Sequence, residues 1–264
     1  MVNKRFMKFD LKDFNIFIAG GLGEIGISIV NEILKSGASV VILYSSDKNL
    51  VNINKLKNKS NIKILKSNYS IFEKLCEDIS KYSLNEKTNC MISTVGTGKM
   101  RSKYPFDQED IKNIWDINYF FNRNLIIAMS EVISINNQFN PYNKASHILT
   151  SSIASSKNVN APLEYCSAKS ALETLVKNLS INIAPNQRIN SISPGHIFTY
   201  QGTWGQKSKY APEEFDDIVK NTIPLRRIGK PLDISSMYLY LISDISSYLT
   251  GTNIVIDGGI SANQ

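Results

Sequence analysis

Short apolar segments alternate along this chain with longer stretches in which apolar residues recur every three or four positions. The first apolar segment, 14–19, reads FNIFIA and is followed directly by glycines, which is typical of a buried strand. The next stretch places Ile25, Ile29 and Ile33 on one helical face and reaches Gly37, a usual helix stop. The same pattern predicts strands at 14–19, 39–44, 62–65, 90–95, 146–151, 188–193 and 253–256.

Helical spacing fills the intervals between these strands. It predicts helices from Ile25 to the stop at Gly37, over 71–82, 107–135, 161–184 and 212–221, and from about Pro231 onward. Strands that alternate with helices are typical of a parallel sheet covered on both faces. We therefore predict an α/β fold with one seven-stranded, mostly parallel, doubly wound sheet. Because no linker or repeat interrupts the pattern, residues 1–264 are predicted to form a single domain, with 1–13 as an N-terminal extension.

One long segment breaks the alternation of strands and helices. Residues 196–227 lie between the sixth strand and the last helix. An excursion of this length at the carboxyl edge of a parallel sheet is more typical of an active-site cover than of a structural loop. We predict that 196–227 is a substrate lid. Its aromatic and polar side chains favour a polar substrate over a steroid-like one: Tyr200, Gln201, Trp204, Gln206, Lys207, Lys209 and Tyr210.

The composition is that of an ordinary globular protein, with 42% apolar and 20% charged residues. There is no run of 18 apolar residues and no apolar signal core near the start, so neither a membrane span nor export is predicted. The three cysteines, Cys76, Cys90 and Cys166, are widely spaced and form no metal-ligand pattern. They favour a reducing, cytoplasmic location and no metal.

The formal net charge of +7 would suit an anionic partner. The basic residues are scattered, as in the Lys- and Asn-rich stretch 55–63, and form no stripe with interleaved aromatic residues. A solvated surface is the simpler interpretation, so no nucleic-acid partner is predicted. The positive field would also favour an anionic cofactor or substrate.

A glycine-rich turn joins the first strand to the first helix. Gly20, Gly23 and Gly26 stand at this junction, together with Glu24 and Ile25. Glycines between a strand and a helix let the backbone approach a pyrophosphate, and the start of the helix offers it N–H groups and partial positive charge. We predict a dinucleotide site here, although an ordinary strand-to-helix turn has the same outline.

The end of the second strand distinguishes between the two nicotinamide cofactors. An acidic residue there would bind the free 2′-hydroxyl of the adenosine ribose and indicate NAD. This chain has Tyr44, Ser45 and Ser46 instead, whose hydroxyls suit a 2′-phosphate together with Lys48. NADP(H) is therefore favoured over NAD(H), with Asp47 as the residue that would reverse the preference by turning inward.

Tyr165 and Lys169 are four residues apart on the predicted helix 161–184, and so share one face of it. An ammonium beside a phenol favours the phenolate and makes the tyrosine a proton donor or acceptor near neutral pH. The same spacing is common by chance on helices. Its meaning therefore depends on the rest of the chain.

Together these motifs resemble those of the short-chain dehydrogenase/reductase family, in its compact single-domain branch with a Rossmann fold, and are similar to 3-oxoacyl-carrier-protein reductases. The family motif TGxxxGIG falls on 19–26, NNAG on 93–96, YxxxK on 165–169 and PG on 194–195. The resemblance implies four catalytic residues: Asn118, Ser152, Tyr165 and Lys169. It also implies cofactor contacts from Gly20, Gly23, Glu24, Ile25, Gly26, Tyr44, Ser45, Ser46, Asn68, Tyr69, Thr94, Val95, Gly96, Tyr165, Lys169, Pro194, Gly195, Ile197 and Thr199.

Three positions depart from the family pattern. Glu24 replaces the middle glycine, and its carboxylate would repel a nearby phosphate unless it pointed away. Of NNAG only the final glycine, Gly96, is kept. Asn68 stands where an acidic residue is common after the third strand. All three departures lie on the cofactor side, and the catalytic set is complete.

The activity implied by the resemblance is hydride transfer between a nicotinamide and a carbonyl or secondary-alcohol carbon. Tyr165 would exchange the proton, Lys169 would stabilise the phenolate and bind the nicotinamide ribose, Ser152 would hold the carbonyl oxygen, and Asn118 would position a water. Two other functions stay open, a sugar-nucleotide epimerase or dehydratase and a non-catalytic NADP-sensing regulator.

The partners follow from the same resemblance. The substrate would be a small carbonyl or alcohol compound, either a sugar derivative or a 3-oxoacyl thioester, the latter bound to a carrier protein. The family also implies a homodimer or homotetramer.

Overall fold

The computed structural model describes residues 9–57, 59–67, 71–83, 87–99, 107–137 and 144–262. Every neighbouring pair of strands in its sheet is parallel, in the order β3-β2-β1-β4-β5-β6-β7. The strands are β1 (Phe14–Ala19), β2 (Ser39–Tyr44), β3 (Ile62–Lys66), β4 (Thr88–Ser93), β5 (Ala145–Thr150), β6 (Gln187–Pro194) and β7 (Asn253–Ile256). The predicted seven-stranded, doubly wound α/β fold is confirmed.

Eight α-helices are present in the described ranges. They are α1 (Glu24–Lys35), α2 (Phe72–Tyr82), α3 (Gln108–Trp115), α4 (Phe121–Asn137), α5 (Leu163–Ile183), α6 (Thr203–Tyr210), α7 (Pro212–Asn221) and α8 (Pro231–Ile242). The predicted helix 107–135 is interrupted by a π-helical turn at Asp116–Phe120, which separates α3 from α4. The sequence did not predict α6, because TWGQKSKY has no apolar periodicity.

Strand boundaries agree with the predictions to within two residues. The largest shift is at β4, which was predicted at 90–95 and occupies 88–93. Its pairing with β1 begins with Thr88 opposite Phe14 and ends with Ser93 opposite Ala19. Residues 94–96 therefore leave the sheet and lie at its carboxyl edge.

Alternating side chains along each strand fill two cores, one on each face of the sheet. Along β1, Ile16 and Ile18 lie in the core that α1 and α8 cover. Phe17 and Ala19 lie in the opposite core, under α2, α4 and α5. Burial on both faces explains why the strands are apolar without alternation in the sequence. Within the described ranges, no helix has the length and apolar character needed to cross a membrane.

The strand order reverses at β1. The strands β2 and β3 lie on one side of it, and β4 to β7 lie on the other. In parallel sheets a reversal of this kind opens a crevice beyond the carboxyl ends of the two central strands. The glycine turn after β1 and the loop after β4 border that crevice.

The predicted lid is attached to the rest of the fold at both ends. Near its end, Val219 and Ile223 pack with Ile153 in a small cluster beside the end of β5. Near its start, the backbone N–H groups of Tyr200 and Gln201 donate to the carboxylate of Glu24, over 2.8 and 2.9 Å. Glu24, the first residue of α1, thus binds the backbone near the start of the predicted lid.

Replacing Glu24 with Ala removes the acceptor of both lid amides. We expect the amide hydrogens of residues 200 and 201 to exchange with solvent about tenfold faster, as expected when a charge-assisted hydrogen bond is lost. Site-resolved hydrogen exchange measures this. Glu32→Ala is the control, because Glu32 lies on the same helix and pairs with Lys35 instead. Equal exchange in both variants would contradict the contact.

Candidate active site

Glycines are required at two positions of the segment where β1 turns into α1. Gly20 has a φ of +77°, and a Cβ there would lie 2.5 Å from Oγ1 of Thr94. A Cβ at Gly26 would lie 2.1 Å from the carbonyl oxygen of Gly20. The backbone therefore lies open at the start of α1, where the first N–H groups have no acceptor within the helix. This is the cradle that a diphosphate needs.

A cleft of about 1100 Å³ runs along this edge of the sheet. This is above the usual range for small-molecule sites and is large enough for a dinucleotide. Twelve of the residues predicted to bind the cofactor line it: Gly20, Gly23, Glu24, Ile25, Gly26, Tyr44, Ser45, Ser46, Thr94, Val95, Gly96 and Thr199. The residues present thus fit a nicotinamide dinucleotide in both shape and polarity.

The carboxylate of Glu24 does not lie unpaired beside the glycine turn. Both of its oxygens accept hydrogen bonds from the lid, from the N–H groups of Tyr200 and Gln201. These donors disperse the negative charge that the sequence placed next to a phosphate site. The departure from the glycine motif therefore adds a contact between α1 and the lid.

Other predicted cofactor residues do not border this cleft. Gly195 follows β6 and packs against Asp257, where a Cβ would lie 2.5 Å from the Cβ of Asp257. Ile197 is buried and pairs with Gly229 in an isolated bridge. Contacts from Pro194, Gly195 and Ile197 stay predictions. Asn68, Tyr69 and the side chain of Lys48 lie outside the described part of the chain.

The cleft also contains residues that the sequence did not point to. Asn52 and Lys55 belong to a 3₁₀-helical segment, Asp47–Lys55, that follows β2. The side chain of Asn52 donates to the carbonyl oxygen of Leu22 over 3.1 Å and ties this segment to the glycine turn. The sequence did not indicate Lys55 as a cofactor residue, because it is one of many lysines in a polar stretch.

Asp47 is engaged away from the cleft. Its two carboxylate oxygens lie 3.0 and 2.8 Å from Nζ of Lys66, at the end of β3. This ion pair raises the pKa of Lys66, through its hydrogen bond with Asp47. Asp47 is not among the residues that line the cleft.

Asn118 is fully buried in the π-helical turn between α3 and α4. Its side-chain Nδ2 donates to the carbonyl oxygens of Ile114 and Thr97, both over 2.9 Å, and its Oδ1 accepts from the N–H of Thr97 over 3.0 Å. The amide therefore holds the loop after β4 against the helix. Turns of this type are frequent at functional sites.

The side chain of Lys169 reaches the same place from α5. Its Nζ donates to the carbonyl oxygen of Thr150 over 2.8 Å. A Cβ at Gly96 would lie 2.9 Å from both this Nζ and Oδ1 of Asn118, so only glycine leaves room between them. Burial lowers the pKa of Lys169 to about 8, against the effect of Glu173, which raises it.

The phenol of Tyr165 lies beside this ammonium, with Nζ of Lys169 5.8 Å from the ring centroid. Burial raises the pKa of Tyr165 above its ordinary value, and a hydrogen bond with Ser152 opposes the increase. Burial of the phenol thus acts against formation of the phenolate, and its stabilisation by Lys169 stays a prediction. Tyr165 is protonated at neutral pH.

Ser152 is the second residue after β5 and stands at the start of a short 3₁₀ turn. Its hydroxyl accepts from the N–H of Ala154 over 3.2 Å, which orients the side chain. Since the hydroxyl of Ser152 also bonds the Tyr165 phenol, the structure brings together all four predicted catalytic residues beside the loop after β4.

Burial lowers the pKa values of the two histidines, His147 and His196, to about 4, so neither titrates near neutral pH.

Comparison with known proteins gives matches over almost the whole chain. The family model described as enoyl-(acyl carrier protein) reductase matches residues 21–261. Sorbose reductase of Schizosaccharomyces pombe is 30% identical over 261 residues, covering 95% of this chain and 97% of that protein. The 3-oxoacyl-[acyl-carrier-protein] reductase of Rickettsia felis is 28% identical and covers 95% and 98%.

The fold has close matches among solved structures. The aldohexose dehydrogenase of Thermoplasma acidophilum aligns with a TM-score of 0.80 over 98% of each chain, at 20% identity. At this identity the likeness concerns the fold alone. Together with the family model and the full-length relatives, it shows that the chain belongs to the short-chain dehydrogenase/reductase family of NAD(P)-dependent oxidoreductases.

Proposed function

We propose that this protein is an NADP(H)-preferring reductase that converts the carbonyl group of a small polar substrate, such as a ketose, to a secondary alcohol. The observation that carries the proposal is the convergence of Tyr165, Ser152, Lys169 and Asn118 beside a glycine-lined cleft. Gly96, which lines the cleft, lies beside Lys169 and Asn118, and Gly98 of the same loop lies beside the ring of Tyr165.

The cofactor would lie along the cleft, with its diphosphate at the start of α1 and its nicotinamide half near Gly96 and Thr199. When bound, it supplies the hydride. The chain's own groups handle the oxygen of the substrate. Ser152 binds the carbonyl oxygen, and Tyr165 donates its proton to that oxygen as negative charge develops there.

Lys169 and Asn118 support the proton donor. The ammonium of Lys169 stabilises the phenolate that remains after the proton has left. Asn118 holds the loop that contains Thr97 and fixes the wall opposite Lys169. Burial raises the pKa of Tyr165, and a protonated phenol is the form that donates to the oxygen of a carbonyl substrate.

The preference for NADP(H) rests on the end of β2. Ser45 and Ser46 line the cleft there, and Lys55 brings a positive charge to the same wall. Asp47, the residue that would have favoured NAD(H), is paired with Lys66. A 2′-phosphate would therefore meet hydroxyls and a cation rather than a carboxylate.

The polar lid supports a sugar-like substrate over a carrier-bound thioester. Among the described lid residues, Lys207 pairs with Glu214, and Lys209 lies over the ring of Tyr210. The ion pair offsets the charge of Lys207, one of the two lysines of α6 that an acidic carrier protein would use. Trp204 stacks on His196, with ring centroids 3.9 Å apart, and gives the lid an aromatic surface. The 30% identity with a sorbose reductase agrees with this assignment.

We further propose a homodimer or homotetramer. Large apolar side chains are exposed on α4 and α5, at Ile135, Leu163 and Ile181, with 62%, 62% and 77% of their surface accessible. Val255 is also exposed, on the edge strand β7. A second copy that packed on these surfaces would cover them. Cytoplasmic location stays a prediction from cysteine usage.

Replacing Tyr165 with Phe should lower the rate of NADPH-dependent ketose reduction by about 10²- to 10⁴-fold while leaving NADPH affinity unchanged, because only the proton donor is lost. NADPH consumption with a panel of ketoses, simple ketones and acetoacetyl thioesters measures the rate, and calorimetry measures the affinity. Tyr248→Phe is the control, since Tyr248 is fully exposed. Undiminished turnover in the Tyr165 variant would refute the mechanism, and a product formed without net redox change would indicate an epimerase.

The value of kcat/KM for reduction should fall as the pH rises through about 8. Reduction needs Lys169 protonated, and its pKa in the folded protein is about 8. The histidines, with pKa values of about 4, add no further step near neutrality. A pH profile from 6 to about 10 measures this limb. A rate that stays constant to the upper end of that range would contradict the role of the ammonium.

Replacing Lys55 with Ala should weaken NADPH binding about three- to tenfold and leave NADH binding unchanged, since only the 2′-phosphate contact is removed. Calorimetric titration with each cofactor measures both constants. Lys57→Ala is the matched control, because Lys57 is exposed just beyond the same segment and does not line the cleft. An equal loss for both cofactors would exclude a 2′-phosphate contact.

A further inference from the structure

Glu173 lies on α5, one helical turn beyond Lys169, and the mechanism above leaves it without a role. We propose that Glu173 is a positioning residue for the reduction, one that fixes the Ser152 turn against α5 and stabilises the ammonium of Lys169. This inference rests on the proposed function, because it assigns Glu173 to the same reaction.

The carboxylate of Glu173 lies within hydrogen-bond distance of three serines. Oε1 of Glu173 lies 2.7 Å from Oγ of Ser151, 2.6 Å from Oγ of Ser155 and 2.8 Å from Oγ of Ser193. The three serines come from the end of β5, from the following turn and from β6. The hydroxyls of Ser155 and Ser193 also lie within reach of the Ser152 carbonyl oxygen and of Oδ1 of Asn253, respectively. The half-buried carboxylate is the acceptor that all three hydroxyls share, and hydrogen bonds to an anionic acceptor are the stronger ones.

Two of the three serines flank Ser152 in the sequence. Ser151 and Ser155 stand on either side of Ser152, and Ser155 also lies within hydrogen-bond distance of the Ser152 carbonyl oxygen, at 2.7 Å. Glu173 shares α5 with Tyr165. The carboxylate therefore connects the segment that holds Ser152 to the helix that holds the proton donor, and sets the distance between the two.

Glu173 also acts on Lys169 through its charge. Lys169 is buried, and Glu173 is the one charged group that raises its pKa among the described residues. The other groups that surround Nζ are Thr150 and Asn118, which are uncharged, and Tyr165, which is neutral at neutral pH. Glu173 therefore provides the negative charge that opposes the cost of burying the ammonium.

A series of variants separates the effect of Glu173 on the position of the Ser152 turn from its electrostatic effect on Lys169. Glu173→Gln keeps the shape and removes the charge, whereas Glu173→Asp keeps the charge and shortens the reach to the serines. Ser193→Ala removes one donor to the carboxylate without changing any charge. Glu131→Gln is the matched control, since Glu131 is an exposed glutamate on α4.

The test is steady-state reduction of L-sorbose, or of the best ketone in the panel, with saturating NADPH. Glu173→Gln should lower kcat about 10- to 100-fold with little change in KM, since the reacting groups lose their alignment. In the pH profile of Glu173→Gln, the alkaline decrease in rate should move to lower pH by about one unit, since the ammonium of Lys169 loses its counter-charge. Glu173→Asp and Ser193→Ala should lower kcat and leave the pH of the alkaline decrease unchanged.

A separate measurement gives an answer without turnover. Titration of Lys169 by NMR, on selectively labelled protein, should give a lower pKa in Glu173→Gln than in the wild type and in Glu131→Gln. Thermal unfolding and NADPH binding show that each variant is folded. If Glu173→Gln does not fold, the comparison of Glu173→Asp and Ser193→Ala with the control still tests the positioning role.

The outcomes distinguish this inference from the proposed function. Suppose that Glu173→Gln leaves kcat, the pH of the alkaline decrease in rate and the pKa of Lys169 unchanged, while Tyr165→Phe is inactive. This result would overturn the role of Glu173 alone. A wild type that reduces no carbonyl compound would overturn the proposed function, and the NMR titration would still report the coupling of Glu173 to Lys169.

Discussion

Parallel pairing from β3 to β7 brings the carboxyl ends of all strands to one edge of the sheet, and each functional segment follows a strand at that edge. The glycine turn follows β1, Gly96 follows β4, Ser152 follows β5 and the lid follows β6. Two buried cores, one on each face, hold the strands in register. The geometry of the site is therefore a consequence of how the sheet is packed.

At that edge, burial shifts the pKa values of the two proposed catalytic groups on α5. Desolvation pushes Lys169 toward its neutral form and Tyr165 toward its neutral, protonated form. The carboxylate of Glu173 opposes the first effect. A charged Lys169 beside a protonated Tyr165 is the combination that a carbonyl reduction requires.

Glu24 shows how a departure from a family motif is accommodated. A carboxylate in the glycine turn would oppose an anionic cofactor if its charge stayed unpaired. Here it accepts two hydrogen bonds from the lid, which lies 176 residues further along the chain. The residue thereby links the glycine turn of the cleft to the predicted lid.

Local patterns in the sequence determined the strands, most helices, the glycine turn and the Tyr165–Lys169 pair, because each depends on residues within a few positions of one another. The tertiary structure decided the direction in which Glu24 points, the π-helical turn at Asn118 and the increase in the pKa of Tyr165 caused by burial. It also decided that three serines from separate segments meet at Glu173. Each of these features depends on contacts or burial created by distant parts of the chain, and no local pattern encodes them.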